Sequence, residues 1–155
     1  MQQRSNTGTR ALGILFFSML MGQVIFALLA YYMNASGTMI VAVLADNGKN
    51  ILVAIAGLAL LLAIGSFIFY RKKITAAKES AQTVQEKLGV YRSANIIRWA
   101  LLEAPVLLAI IAFMLSGNKD ILFVIAAMLL LFVSTKPSVA KAAAALSLSE
   151  EEVNI

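Results

Sequence analysis

The sequence predicts an all-α integral membrane protein with four transmembrane helices. Apolar residues make up 61% of the 155 residues and charged residues only 14%, whereas a soluble domain carries about 25% charged residues. The apolar residues are concentrated in four blocks, and a helix needs about 20 such residues to cross a bilayer. The blocks are Ala11 to Met33, Ile51 to Tyr70, Ala94 to Leu115, and Ile121 to about Thr135.

The first two blocks carry no charge, and each is long enough to span the membrane. The third block also qualifies by length, although it contains Arg98 and Glu103. The fourth block is short, and the sequence leaves open whether its helix ends before Pro137 or continues past it with a kink. In the second case the alanine-rich stretch after Pro137 extends the helix and its lysines reach out to the membrane surface.

The placement of lysine and arginine predicts the orientation of these helices. Six basic residues lie between residues 71 and 93, and two lie in each of the segments 1–10 and 136–155. The two other connections carry one lysine each, Lys49 and Lys119, and both also contain an aspartate. We therefore expect both termini and the basic 71–93 loop in the cytoplasm, and the protein in the inner, or cytoplasmic, membrane.

The segments outside the apolar blocks, and the aromatic residues, also allow predictions of local structure. Good helix formers after Tyr70 predict that the second helix continues into the cytoplasm, turns near Gly89 and re-enters the membrane at Tyr91. The outer stretch Thr38 to Leu44 is expected to extend the first helix or to lie at the membrane surface. The tail from Leu146 to Ile155 is expected to be solvated. Trp99 and the four tyrosines are predicted to anchor helices at the membrane surfaces.

The two halves of the chain resemble each other. Lys49-Asn50-Ile51-Leu52 aligns with Lys119-Asp120-Ile121-Leu122, and the basic and apolar positions upstream follow the same register. Two transmembrane helices in each half insert with the same orientation, which predicts two parallel-repeat hairpins, residues 11–70 and 94–135. In this alignment Glu103 takes the place of Met21, and Pro105 that of Gln23.

Glu103 is the main candidate for a functional residue. A carboxylate near the middle of a membrane span is costly unless it is protonated, paired or facing a polar cavity. Gln23 is predicted near the same depth, where its amide could hydrogen-bond a protonated carboxyl. Pro105 cannot donate to the carbonyl of Leu101, so an unpaired acceptor is expected close to Glu103.

Small side chains let transmembrane helices approach closely, and two sets of them are candidate packing surfaces. The first set lies on the second helix and is predicted to hold the chain to itself or to other subunits. The second set flanks Glu103 on the third helix. The two sets are Ala56, Ala59, Ala63 and Ser66, and Ala100 and Ala104.

Three interpretations of Glu103 remain open at this stage. The carboxyl could fix helix packing through a hydrogen bond, carry or gate a cation, or contact a partner subunit. The sequence contains no cysteine or histidine, which removes disulfides, thiolate catalysis and the usual zinc or haem ligands. We accordingly expect no metal, no cofactor, no nucleic-acid partner and no enzymatic activity.

The basic loop followed by Ala100-Leu101-Leu102-Glu103-Ala104-Pro105 resembles the ion-carrying helix of rotary-ATPase proteolipids, the ring-forming c or K subunits. The resemblance covers roughly Ala54 to Leu115 and implies that Glu103 carries a proton or a sodium ion. Unlike that family, this chain has Glu103 on the first helix of its repeat. The expected function is a small oligomeric membrane subunit that transports an ion. The alternative is a structural or assembly subunit of a larger membrane complex.

Overall fold

The computed structural model describes residues 4–37 and 41–154, and every regular element within these ranges is a helix. Three of the helices are long and four are short. In chain order they are α1 (Arg4–Ala35), α2 (Ala42–Asp46), α3 (Gly48–Glu79), α4 (Val84–Ser116), α5 (Ile121–Ser134), α6 (Val139–Leu146) and α7 (Glu150–Asn154).

The helices α1, α3 and α4 contain 32, 32 and 33 residues, and at 1.5 Å per residue each is about 48 Å long. All three are long and apolar enough to cross a membrane. The pair α5 and α6 would make a fourth span only if the two helices count as one, and they are bent by 74°. The predicted all-α class is confirmed, and the long apolar helices indicate an integral membrane protein.

The helix α4 lies at the centre of the structure. It packs along α3 and makes further contacts with α5 and α1, whereas the described parts of α1 and α3 form no extended contact. The predicted pair of equivalent hairpins is therefore not confirmed, because α1 packs against α4 rather than against α3. The most deeply buried side chains of α4 are Trp99, Leu102, Val106, Ala109, Ile110 and Phe113.

An aromatic cluster joins α4 to two of its neighbours. The ring centroid of Phe16 in α1 lies 5.3 Å from that of Trp99 and 5.1 Å from that of Phe132 in α5. The indole nitrogen of Trp99 donates a hydrogen bond of 3.0 Å to Thr135 Oγ1. Trp99 is fully buried, so the prediction that it anchors a helix at the membrane surface is wrong.

The basic segment 71–93 consists of two helix ends joined by a short turn. As predicted, the second long helix continues beyond Tyr70, and α3 ends at Glu79. The next helix starts at a capping box, in which Thr83 and Glu86 exchange side-chain and backbone hydrogen bonds. The prediction of a turn near Gly89 is wrong, because this cap starts α4 at Val84 and places Gly89 inside the helix.

The outer end of α4 is held by the connection between α1 and α3. The Asn34 side-chain amide donates to the carbonyl of Phe113 at 3.3 Å, and the backbone N–H of Val41 donates to the carbonyl of Leu115 at 2.9 Å. The bond from Val41 satisfies a carbonyl that the end of a helix leaves unpaired, and the bond from Asn34 adds a second donor to the Phe113 carbonyl, which already accepts the Gly117 N–H. Of the predicted insert, residues 38–40 lie outside the described residues, and the following residues form α2 rather than an extension of α1.

The fourth apolar segment is broken before Pro137. The helix α5 ends at Ser134 after 14 residues, and α6 starts at Val139, with the Ser138 hydroxyl accepting the backbone N–H of Lys141. The Lys141 ammonium group donates to the carbonyls of Ser134 and Lys136 at 3.0 Å. This lysine therefore caps the end of α5 and does not reach out from a continuous helix.

The C-terminal residues pack back onto the helices. Leu146 and Val153 are each 1% exposed, so the expectation of a solvated tail is wrong at these two positions. The helix α7 begins at a second capping box, in which Ser149 donates from its backbone and its hydroxyl to the Glu152 carboxylate. These two hydrogen bonds lower the pKa of Glu152.

We expect Thr135→Val to lower the free energy of unfolding by about 1–3 kcal/mol, because the Trp99 N–H would be buried without an acceptor. Ser134→Ala is the matched control. Like the Thr135 hydroxyl, the Ser134 hydroxyl donates to a carbonyl three residues earlier, but Ser134 is exposed and is not the acceptor of the Trp99 N–H. Thermal unfolding in mild detergent, followed by the fluorescence of the only tryptophan, measures both variants. Equal stability of the two would show that the Trp99–Thr135 hydrogen bond contributes nothing.

Candidate functional site

Glu103 lies at the border between the packed side and the open side of α4. Leu102 before it is fully buried, Ala104 after it is exposed, and Glu103 itself is half-buried. On the open side, the exposed residues form one apolar strip that no other described helix covers. We call this strip the uncovered face of α4, and it comprises Ile96, Ile97, Ala100, Ala104, Leu108 and Ile111.

The Glu103 carboxylate has no hydrogen-bond donor and no cation beside it among the described residues. The nearest basic residue along the helix, Arg98, is engaged elsewhere. Its guanidinium carbon lies 4.1 Å from the ring centroid of Phe67 and 4.8 Å from that of Tyr70, both on α3. The described part of the chain therefore gives Glu103 no partner that would fix the packing of its helices.

Gln23 does not hydrogen-bond Glu103, contrary to the prediction. Its side chain is fully buried, and neither amide atom has a hydrogen-bond partner among the described residues. The helices α1 and α4 run in the same direction, and Phe16 lies beside Trp99. Measured along each helix axis from the Phe16–Trp99 contact, Gln23 lies about 10 Å farther along α1, whereas Glu103 lies only about 6 Å farther along α4. The amide is thus almost one turn beyond the carboxyl.

Pro105 also lies apart from the Glu103 carboxyl. It is buried inside α4 and cannot donate to the carbonyl of Leu101, as the sequence predicts. Two residues along an α-helix are separated by about 200° around its axis. Pro105 therefore lies on the packed side of α4, nearly opposite to Glu103.

The small residues of α3 pack within this chain. Ala59, Ala63 and Ser66 are 3%, 8% and 0% exposed, and half-buried Ala56 lines a groove of about 460 Å³ between α3 and α5. The first three residues thus contribute to helix packing within this chain. That the same face also contacts other subunits stays a prediction.

Ala100 and Ala104 of α4, unlike the small residues of α3, are not covered by another described helix. Both are exposed on the uncovered face of α4, so no described helix of this chain packs against them, and packing against another subunit stays a prediction. Together with half-buried Glu103 they leave a surface of small side chains beside a carboxyl.

Sequence reasoning missed a polar cluster between α3 and α4. The ring centroids of Tyr70 and Tyr91 are 6.5 Å apart, and the side chain of Asn95 is buried and donates to the Tyr91 carbonyl at 2.9 Å. Arg98 packs over Tyr70 in the same region. Residues three or four apart lie on one side of a helix. The spacing of Tyr91, Asn95 and Arg98 follows this pattern, and it could have indicated the polar cluster.

Among the side chains that the structure describes, no three histidine, cysteine, aspartate or glutamate residues come together to hold a metal ion. Comparisons of the chain with protein-family models, with curated proteins and with solved structures gave no match. The resemblance to rotary-ATPase proteolipids therefore stays a prediction from sequence.

We expect the double substitution of Ala59 and Ala63 by leucine to destabilise the isolated chain, since inserting methylenes into a packed interior costs about 1–3 kcal/mol at each site. The matched control replaces Ala100 and Ala104 by leucine on the uncovered face. That variant should keep the stability of the single chain. Thermal unfolding in detergent, with the mass of the particle measured alongside, distinguishes the two pairs. Equal stability of both pairs would contradict the packing described here.

Proposed function

We propose that this protein is a small proteolipid-like membrane subunit in which Glu103 carries or gates a cation, a proton or a sodium ion, within an oligomeric complex. The observation that supports the proposal is the position of Glu103. Its carboxyl lies within a candidate membrane span, at the edge of an exposed helix face, and no donor or cation of the described chain is beside it.

The absence of an internal partner argues against a role in holding this chain together. A carboxyl that fixed the packing of α1 on α4 would accept or donate a hydrogen bond between those helices, and Gln23 is the side chain expected to provide it. Gln23 instead lies almost a turn away, and its amide has no hydrogen-bond partner among the described residues. The stabilising partner of Glu103 is then a bound proton, a metal cation or a group from another subunit.

A position at the edge of the bundle suits an ion carrier. In the neutral, protonated form the carboxyl is tolerated against lipid, and on meeting an aqueous path it releases the proton and becomes charged. A sodium ion would have to be held by the carboxylate together with oxygen ligands from a neighbouring subunit. The exchange requires access from outside the bundle, which the half-exposed side chain provides.

A second candidate is a structural or assembly subunit, and one observation favours it. Ala100 and Ala104 lie exposed on either side of Glu103 in the sequence and leave room for the backbone of another helix. In this function Glu103 hydrogen-bonds a group of a neighbouring subunit and fixes its register. The predicted internal repeat does not favour either candidate function, and it stays a prediction.

We propose that both termini and the segment 71–93 face the cytoplasm of an inner membrane. The positive residues of these segments support this orientation. Cysteine substitutions at Ser80 and at Asn50 test it with an impermeant thiol reagent, since the chain has no native cysteine. In intact cells Asn50→Cys should be labelled and Ser80→Cys should react only after lysis. Labelling of Ser80→Cys from outside would reverse the orientation.

We expect Glu103→Gln to fold and assemble like the native protein but to abolish cation flux, because the amide keeps the shape and cannot exchange a proton or balance a cation. Flux is measured with the native assembly in liposomes that contain a pH- or sodium-sensitive dye. Glu79→Gln, an exposed carboxyl at the end of α3, is the control and should leave flux unchanged.

Two further measurements separate the candidate functions. Reaction of Glu103 with a carbodiimide, suppressed by sodium or by high pH, would support the carrier. An unreactive Glu103, combined with loss of the complex in Glu103→Gln, would support the assembly subunit. Full flux in Glu103→Gln would exclude the carrier.

A further inference from the structure

A shallow groove runs along the outward side of α1, toward the predicted cytoplasmic end. Its volume is about 540 Å³, and its apolar residues are well exposed, with Ile14 at 67%, Phe17 at 50% and Met21 at 51%. Gly13 leaves the groove open, since a Cβ at this position would meet nothing within 4 Å. The remaining lining residues are Arg10 and Ser18. In a bilayer this surface lies against lipid.

Two cations from different parts of the chain flank the groove. Arg10 lines its cytoplasmic end. Lys136, in the turn after α5, places its ammonium nitrogen 5.3 Å from the ring centroid of Phe17. Among the described side chains neither cation forms an ion pair with a carboxylate. Two positive charges without a carboxylate partner among the described side chains thus lie beside one apolar groove.

We propose that Arg10, Phe17 and Lys136 form a binding site for one anionic phospholipid. The phosphate of its headgroup lies between the Arg10 guanidinium and the Lys136 ammonium, and one acyl chain follows the groove past Gly13 toward Met21. A net anionic lipid is favoured over a zwitterionic one, because the positive headgroup of a zwitterionic lipid opposes the two cations. This site does not depend on Glu103 or on the function proposed for it.

Each cation near an anionic membrane surface contributes a factor of roughly five in binding. Removing both should therefore weaken retention of the lipid by at least about tenfold. The double variant Arg10→Gln/Lys136→Gln tests this, and Arg71→Gln/Lys72→Gln is its matched control. The control also removes one arginine and one lysine, both exposed, from the predicted cytoplasmic end of α3.

The full chain in mild detergent is mixed with phosphatidylglycerol or with phosphatidylcholine. Retained lipid is counted by native mass spectrometry, and the Tm is recorded in parallel. We expect the native chain and the Arg71/Lys72 control to retain one phosphatidylglycerol and to gain in Tm. The Arg10/Lys136 variant should retain it at least about tenfold less. Gly13→Leu fills the groove without changing charge and should also weaken retention.

Three results would overturn the proposal. Undiminished retention in the Arg10/Lys136 variant would exclude these cations from the site. An equal loss in the Arg71/Lys72 control would show a diffuse effect of net charge, as in an ordinary positive cytoplasmic surface. Undiminished retention in Gly13→Leu would exclude the groove as the seat of the acyl chain. Because Gly13 faces outward and leucine is a better helix former than glycine, this variant should fold.

Discussion

The burial of one broad side of α4 is the constraint on which the rest of the structure depends. In lipid the hydrophobic effect does not drive helices together, so association depends on close packing and on a few polar contacts. Here α3, α5 and α1 all pack on α4, and Trp99 is the residue where two of these contacts meet. Its ring packs against Phe16 of α1, while its N–H is bound by Thr135 at the end of α5. The position of α1 is thus set by its contacts with α4. The next long helix in the sequence, α3, contributes little to it.

The lengths of the apolar blocks made the helical class and the three long helices predictable. A span of about 20 apolar residues has few alternatives in a membrane protein. The ends of the helices were less predictable, because they depend on local hydrogen bonds. Thr83 and Glu86 start α4 ahead of Gly89, and Ser138 starts α6 beyond Pro137. Both caps follow the known pattern of a hydroxyl residue before the first turn, and in hindsight they are visible in the sequence.

Which helices touch was not predictable, since an apolar residue is acceptable on a lipid-facing side as well as on a packed one. The alanines illustrate this point. Ala59 and Ala63 are buried, whereas Ala100 and Ala104 are exposed, and the two pairs have the same spacing of four residues. Glu103 is unusual as a carboxylate in an apolar block, but its relation to Gln23 depends on the offset between α1 and α4. That offset is fixed by the aromatic contacts, and no pattern within a single helix encodes it.

The break after α5 has a consequence for the surrounding bilayer. With 14 residues, α5 is about 21 Å long, and α6, bent by 74°, adds only about 3 Å along the same direction. The hydrocarbon layer is about 30 Å thick, and a helix shorter than this is accommodated by local thinning of the membrane. If α5 and α6 together cross the membrane as a fourth span, they match a thinner hydrocarbon layer than α1 and α3 do. Such a difference would strain the lipids beside α5 only, and shorter-chain lipids at this side would relieve the strain.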